Sequence, residues 1–275
     1  MINSGTFAPS NGFEMLPSEL SLVSRPPHVS SFSVSLIIPA RNEAAGLHAV
    51  LSDPIPEFID QIIVVDGHSA DRTVAVVREV CPRAIIATQK GTGKGDAIKL
   101  GLSLATGDIV VTMDGDGSHR LSDIAPMVEK LMKGHDFVKG SRALPGAGSD
   151  DFTAVRSAGN WCLTAVARWL YGTDWTDITY GFNVYWRRIM VDTSQLSDGF
   201  SFEIQAAVRA ARGGLAVAEV ACFERPRVAG VSKLHAIRDG WAILMVILGE
   251  ASPRRRVHFR AMADLHLDSR DERAA

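Results

Sequence analysis

The sequence has little cysteine, no strong excess of either charge and no long apolar run. Among its 275 residues are 3 cysteines, 29 basic residues and 31 acidic residues, which give a formal net charge of −2. Such a chain lacks the basic surface with which proteins bind nucleic acid, so we expect no nucleic-acid partner. The late apolar run at residues 241–248 is far shorter than the roughly 20 residues that cross a bilayer.

The cysteines and the first residues bear on where the protein works. Cys81, Cys162 and Cys222 lie far apart, are odd in number and form no metal-spaced cluster. This usage favours a reducing compartment. The first residues lack the basic segment and apolar core of a secretory signal. We therefore expect a cytoplasmic protein, with membrane contact that is at most peripheral and at the inner face.

Strand and helix patterns alternate along the chain, which is 46% hydrophobic. Short apolar runs predict strands at residues 34–39, 61–66, 84–86, 109–113, 136–140 and 215–223. Apolar positions at helical spacing predict helices at residues 42–51, 69–80, 97–105, 123–133, 153–171, 200–213 and 241–249. This alternation predicts an α/β fold with a mostly parallel central sheet and flanking helices.

The composition changes near both ends of the chain. Residues 1–31 are rich in Ser, Pro, Gly and Asn and predict a flexible leader. Residues 32–235 carry the strand and helix patterns and predict one catalytic domain, which is followed at 236–275 by an apolar helix and a polar tail. That tail includes three consecutive arginines at 254–256. We see no internal repeat.

Two carboxylates, Asp114 and Asp116, directly follow the predicted strand at 109–113. Two residues apart at the end of a strand, they can point to the same side, and the glycines at 115 and 117 leave room beside them. Ligands of open α/β sheets bind at the carboxyl ends of the strands. Carboxylate oxygens suit a hard divalent ion that also binds phosphate. An isolated pair of this kind is more often a polar turn, but the neighbouring motifs favour a metal site.

Three further polar segments are expected at the same edge of the sheet. They are the segment 39–43, Asp66 and the glycine-rich loop 91–96, which carries Lys94. The loop lacks the spacing of a P-loop. The first strand is not followed by Gly-x-Gly-x-x-Gly either, which disfavours a dinucleotide oxidoreductase.

Taken in order, these segments resemble the GT-A glycosyltransferases of family 2. The resemblance is carried by Ile-Ile-Pro-Ala-Arg-Asn-Glu at 37–43, Val-Val-Asp-Gly-His-Ser-Ala-Asp-Arg-Thr at 64–73, Gly-Lys-Gly at 93–95 and Asp-Gly-Asp at 114–116. Later segments are similar to those of dolichyl- and polyprenyl-phosphate sugar synthases. These are 140–142, Arg156 with 159–160, 177–182 and 227–233, and the whole resemblance covers roughly residues 34–235.

The resemblance implies a role for each matching residue. It implies that a nucleotide-sugar donor, linked to UDP or GDP, is bound by Pro39, Arg41, Glu43, Asp66, Lys94 and Asp114. Asp114 and Asp116 would hold Mg²⁺ or Mn²⁺ on the donor diphosphate. The donor diphosphate or an acceptor phosphate would be bound by the basic residues Arg142, Arg156, Arg227 and Lys233. The implied activity is metal-dependent, inverting sugar transfer, in which we also count Arg227 as catalytic.

The acceptor stays open between a polyprenyl phosphate and a small hydroxylated molecule. A phosphate needs little help from a base, whereas a hydroxyl needs a carboxylate, for which we select Asp177. Arg120-Leu121 and the segment 179–183 depart from the pattern of polyprenyl-phosphate synthases. A third alternative is a catalytically silent nucleotide-sugar-binding protein, which the retained carboxylates argue against.

Three other residues have simpler interpretations. Trp161 and Trp169 fall on apolar positions of a predicted helix, and we expect them in the core. His119 lies close to the carboxylate pair, but a single loop histidine usually has no special role.

Overall fold

The computed structural model describes residues 31–190, 192–230 and 236–252. Its main feature is a seven-stranded sheet with the strand order β3-β2-β1-β4-β7-β5-β8. The strands are β1 Val34–Ala40, β2 Gln61–Asp66, β3 Ile85–Thr88, β4 Ile109–Thr112, β5 Phe137–Ser141, β7 Asn183–Trp186 and β8 Val217–Ala221. A separate two-stranded sheet pairs β6, Gly148–Ser149, with β9, Phe223–Glu224.

The central sheet is parallel except at one strand. β1 pairs in parallel with β2 and β4, whereas β7 runs antiparallel to both β4 and β5. The predicted α/β fold with a mostly parallel sheet is therefore confirmed. The strand β7 was missed from the sequence, because it is only four residues long and a short apolar run cannot be assigned to a strand by periodicity alone.

Helices flank the sheet and connect most of its strands. They are α1 Ala44–Ser52, α2 Thr73–Val80, α3 Lys94–Leu104, α4 Ile124–Met132, α5 Ala154–Tyr171, α6 Phe202–Arg212 and α7 Ala236–Glu250. The strand residues Leu36, Ile37, Val111 and Val138 are all fully buried, because helices cover the faces of the sheet.

The last described helix packs on the same hydrophobic core as the sheet. On α7, Ile243 and Ile247 are buried and belong to that core. The Tyr171 hydroxyl at the end of α5 donates a hydrogen bond to the Ile247 carbonyl. The predicted leader lies outside the described residues apart from its last residue, and so does the polar tail beyond residue 252, with its three arginines.

Candidate active site

A cavity of about 810 Å³ opens where the carboxyl ends of the parallel strands meet α5 and α7. One part of its wall is charged and comes largely from the loops that follow the strands. Most of the predicted site residues lie on this wall, namely Pro39, Arg41, Glu43, Lys94, Asp114, Asp116, Arg142, Arg156 and Arg227. The rest of the lining includes the apolar residues Val155, Leu163, Phe200, Trp241, Ile243 and Leu244.

The loop after β1 is tied to the loop after β2. Asn42 adopts a left-handed backbone with φ of 54°. Its N–H donates to the Ser69 hydroxyl at 2.9 Å, and its side-chain oxygen accepts the Ala70 N–H at 2.7 Å. The Glu43 N–H donates to the Thr73 hydroxyl at 2.9 Å. These bonds fix the segment 39–43 at the rim of the cavity, because each satisfies a polar group that a turn leaves unpaired.

Asp66 ends β2 and turns towards its own loop. Its side chain is buried, and its carboxylate accepts the Ser69 N–H at 3.2 Å. The neighbouring Gly67 and Gln89 line the cavity, whereas Asp66 does not. A direct contact between Asp66 and a nucleotide therefore stays a prediction.

The loop with Asp114 and Asp116 is held in one conformation from several sides. The Asp114 N–H donates to His119 Nδ1 at 3.1 Å. One oxygen of Asp116 accepts both the Ser118 N–H, at 2.9 Å, and the Ser118 hydroxyl, at 2.7 Å. On the other side α1 packs so closely that a Cβ on Gly46 would lie 2.4 Å from the Gly115 carbonyl oxygen. The two carboxylates are thus preorganised at the cavity.

His119 is a structural part of this site. Its ring is buried, stacks on Phe182 with 4.9 Å between ring centroids, and meets the edge of Tyr180. Burial lowers the pKa of His119, although Asp114 and Asp116 attract its proton. The expectation of an unspecialised loop histidine was wrong, because the sequence does not show that the ring is enclosed by aromatic side chains.

Lys94 begins α3 and points at the first carboxylate of the pair. Its ammonium lies 2.6 Å from an oxygen of Asp114 and 2.7 Å from an oxygen of Glu203. Burial alone would lower the pKa of Lys94, but attraction to these two carboxylates outweighs burial and raises it. Burial would also raise the pKa of Asp114, but Lys94 and His119 hold it below its ordinary value. Both partners are therefore charged at neutral pH.

Arg227 neutralises the second carboxylate of the pair. One guanidinium nitrogen lies 2.7 Å from Asp116, and another lies 3.6 Å from Glu43. The predicted partner Lys233 lies outside the described residues. Arg156 also lines the cavity, and its guanidinium is 2.9 Å from Asp151.

Arg142 lines the cavity and pairs with Asp177, which lies behind the cavity wall. Two guanidinium nitrogens of Arg142 donate to the Asp177 carboxylate at 2.7 and 3.0 Å, and a third donates to Glu224 at 3.1 Å. Burial would raise the pKa of Asp177, but the hydrogen bonds from Arg142 outweigh it and lower the pKa. The Asp177 side chain is fully buried and is not part of the cavity wall. The Asp177 carboxylate is thus bound by Arg142 in this structure, and its role as a general base stays a prediction.

The residues present fit a divalent ion shared with a diphosphate. Asp114 and Asp116 both line the cavity and offer hard oxygen ligands. Among the described residues, no group of three or more His, Cys, Asp or Glu side chains is arranged to hold a metal. Two carboxylates suit an ion whose remaining ligands are phosphate oxygens and water.

Two residues of the site were missed from the sequence, Glu203 and Glu224. Glu203 is buried in the first turn of α6, and Glu224 lies in the short strand β9. Neither belongs to a motif, and only the folded chain brings them to Lys94 and Arg142. The position of Glu203 in the first turn of a predicted helix was a weak signal, and Glu224 gave none.

Comparisons with known proteins agree with this geometry. The family model described as glycosyl transferase family 2 matches residues 35–193. The glycosyltransferase AglJ of Haloferax volcanii is 30% identical over 80% of this chain and 72% of its own length. The undecaprenyl-phosphate mannosyltransferase of Micrococcus luteus is 31% identical over 78% of this chain and 92% of its own length.

A solved structure shows the same fold. It is the glucosyl-3-phosphoglycerate synthase of Mycobacterium tuberculosis in complex with Mn²⁺, UDP and glucosyl-3-phosphoglycerate. The two structures superpose with a TM-score of 0.64 at 20% identity, over 82% of this chain and 81% of the synthase. The predicted GT-A fold is therefore confirmed. Since the family model spans more than half of the chain, the protein belongs to glycosyl transferase family 2 and is a nucleotide-sugar glycosyltransferase.

Proposed function

We propose that this enzyme transfers a sugar from a UDP- or GDP-linked donor to a polyprenyl phosphate, with Mg²⁺ or Mn²⁺ held by Asp114 and Asp116. The single observation that carries this proposal is that one cavity is lined by both charged and apolar side chains. Its charged wall suits a metal-bound diphosphate, and its apolar wall on α5 and α7 suits a hydrocarbon chain. One cavity would then bring the donor and a lipid acceptor together.

The charged wall would hold the donor at its diphosphate. The bound metal ion would offset the negative charge that develops on the departing nucleoside diphosphate. Lys94 and Arg227 lie beside the two carboxylates and would bind phosphate oxygens from the protein side. Pro39, Arg41 and Glu43 lie at the rim where we place the nucleoside, close to the loop that Asp66 holds.

The buried pair of Arg142 and Asp177 favours an acceptor that is already an anion. A hydroxyl acceptor needs a base, but Asp177 is bound to Arg142 inside the protein. A phosphate monoester carries its own nucleophilic oxygen and needs cationic contacts, which Arg156 and Arg227 can supply at the cavity wall. The name of the Micrococcus luteus relative points to the same class of acceptor.

Exposed tryptophan side chains on α5 and α7 favour a function at the surface of a bilayer. Trp161 and Trp169 on α5 are 70% and 82% exposed, and Trp241 on α7 is 65% exposed. The expectation that Trp161 and Trp169 lie in the core was thus wrong. Tryptophan is enriched where proteins meet lipid headgroups. No helix in the described residues is long and apolar enough to cross a membrane. We therefore propose peripheral contact, at the inner face of the membrane.

An acceptor panel tests this proposal. Purified enzyme would receive labelled UDP- or GDP-sugars and Mn²⁺, together with polyprenyl phosphate, the matching polyprenol or small hydroxylated molecules. We expect label in the lipid phase only with polyprenyl phosphate, and no transfer by the Asp116→Ala variant or in chelator. Transfer only to the hydroxylated molecules, at a rate that Arg227→Ala leaves unchanged, would overturn the proposal.

A further inference from the structure

Three charged side chains from three different elements meet beside the cavity. Lys94 comes from the start of α3, Asp114 follows β4, and Glu203 lies in the first turn of α6. The Lys94 ammonium bridges the two carboxylates at 2.6 and 2.7 Å. The side chains of Lys94 and Glu203 are only 12% and 8% exposed, whereas that of Asp114 is 32% exposed. Asp114 is thus the member of this cluster that a ligand in the cavity can reach most easily.

Gly181 has no side chain, and this leaves the space that the cluster of Lys94, Asp114 and Glu203 occupies. A Cβ at position 181 would lie 2.6 Å from the Lys94 nitrogen and 3.0 Å from a Glu203 oxygen. The other oxygen of Glu203 accepts a hydrogen bond from the Asn183 side chain at 3.3 Å. Glu203 is therefore anchored from two sides. The Lys94 side chain, with its four-carbon stem, is the part of the cluster that can move.

Each carboxylate of the metal pair already holds a cation of the protein. Lys94 is bound to one oxygen of Asp114, and Arg227 is bound to one oxygen of Asp116. A divalent ion at these oxygens competes with both, since like charges so close together repel strongly. The donor diphosphate offers new partners for the displaced cations.

We propose that Lys94 is an exchangeable cation and that Glu203 is the positioning residue that retains it. Without donor, Lys94 neutralises Asp114 and opposes binding of a metal ion alone. When Asp114 becomes a metal ligand, the Lys94 ammonium leaves Asp114 and binds the donor diphosphate. Its ion pair with Glu203 is kept throughout. This inference rests on the metal role of Asp114 and Asp116 proposed above. It implies that metal and nucleoside diphosphate each strengthen the binding of the other.

Titration of Mn²⁺, followed by the electron paramagnetic resonance signal of the free ion, tests this exchange without measuring catalysis. Without nucleotide, we expect the Lys94→Gln variant to bind Mn²⁺ at least about threefold more tightly than wild type, because the competing charge is gone. With UDP or GDP present, the same variant should bind the nucleotide more weakly. The nucleotide should also strengthen Mn²⁺ binding less in this variant than in wild type. Lys90→Gln, an equal change of charge at an exposed site shortly before the loop, should match wild type.

The Glu203→Gln variant tests whether Glu203 positions the Lys94 ammonium. Lys94 would then have Asp114 as its only carboxylate partner in the cluster, so we expect weaker Mn²⁺ binding in the absence of nucleotide. This effect should shrink when Lys94→Gln is also present, because the two residues act on the same ammonium. An equally large effect in both backgrounds would contradict the positioning role, since a general structural effect does not depend on Lys94.

The outcomes separate this inference from the proposed function. If Asp116→Ala binds Mn²⁺ as wild type does, the metal site itself is wrong. If Asp116→Ala loses Mn²⁺ binding while Lys94→Gln binds no more tightly than Lys90→Gln, the metal site stands and the exchange is wrong.

Discussion

A guanidinium nitrogen of Arg227 lies 2.7 Å from a carboxylate oxygen of Asp116, although the two residues are far apart in the sequence. Backbone hydrogen bonds hold the two segments together. The Val228 N–H donates to the Asp116 carbonyl at 3.1 Å, and the Arg225 N–H donates to the Ser118 carbonyl at 2.9 Å. Residues 225–228 are thus held against the loop of Asp114 and Asp116 and belong to the same site.

Arg227→Ala should lower sugar transfer by about tenfold or more, because the charge-assisted contact to phosphate that we propose for Arg227 would be lost. Initial rates at several donor concentrations would measure this effect. Arg225→Ala is the matched control, since Arg225 is exposed and does not line the cavity. Equal rates for the two variants would remove Arg227 from the site.

Gly46→Ala should destabilise the protein and distort the loop that carries Asp114 and Asp116. The added Cβ would lie 2.4 Å from the Gly115 carbonyl oxygen and 2.6 Å from the Asp116 backbone. These backbone atoms cannot move aside without moving the loop, so we expect a loss of about 1–3 kcal/mol in the free energy of unfolding. Urea unfolding would measure it.

Gly249→Ala provides the control for that substitution. Gly249 lies in α7, and a Cβ there would meet nothing within 4 Å. We expect a gain in stability of up to about 1 kcal/mol, since alanine favours a helix more than glycine does. Comparable losses in both variants would show that close packing at Gly46 is not the cause.

Asp177→Asn should destabilise the fold by about 3–5 kcal/mol, because it leaves the buried Arg142 guanidinium with less compensating charge. Since the pKa of Asp177 lies below its ordinary value of 3.8 in the folded protein, its stabilising effect is present above that value. The effect is lost as the pH falls through the lower folded pKa. The difference between wild type and variant should therefore shrink with acidification.

Chemical unfolding at a series of pH values, beginning at neutrality, would test this dependence. The matched control is Asp151→Asn, which breaks a partly exposed pair with Arg156 and should cost less than about 1 kcal/mol. A stability difference for Asp177→Asn as small as that of the control would show that the buried pair does not stabilise the fold.

Trp161→Ser combined with Trp169→Ser should weaken binding to lipid vesicles by about tenfold or more, because two exposed aromatic side chains are lost from the apolar surface. Sedimentation with anionic vesicles would measure the bound fraction. Ile85→Ser, at a 42% exposed position on the edge strand β3, is the control. If the double tryptophan variant and Ile85→Ser both bind vesicles as wild type does, these tryptophans do not form a membrane contact.

The sequence predicted those parts of the fold that depend on local pattern. The strands β1, β2 and β4 were recognisable because each is a continuous apolar run, as expected of a strand buried on both faces. Asp114 and Asp116 were recognisable because they follow such a run at once. The strand β7 was not, because four residues carry too little periodicity.

Contacts between distant segments could not be predicted in this way. Glu203 was missed because only the packing of α6 brings it to Lys94. Trp161 and Trp169 were misplaced because an apolar position in a helical pattern indicates a core face, whereas both side chains are exposed in the folded protein. The ion pair between Asp177 and Arg142 was not predicted, because the sequence does not reveal that the two side chains meet.

The most direct test of the account is anomalous diffraction from crystals grown with Mn²⁺ and either UDP or GDP. We predict one strong manganese peak within coordination distance of the carboxylates of Asp114 and Asp116, with diphosphate oxygens completing its ligands. A crystal of Asp116→Ala prepared in the same way should lack the peak. A well-bound nucleotide with no manganese at these carboxylates, or with manganese held elsewhere, would contradict the account.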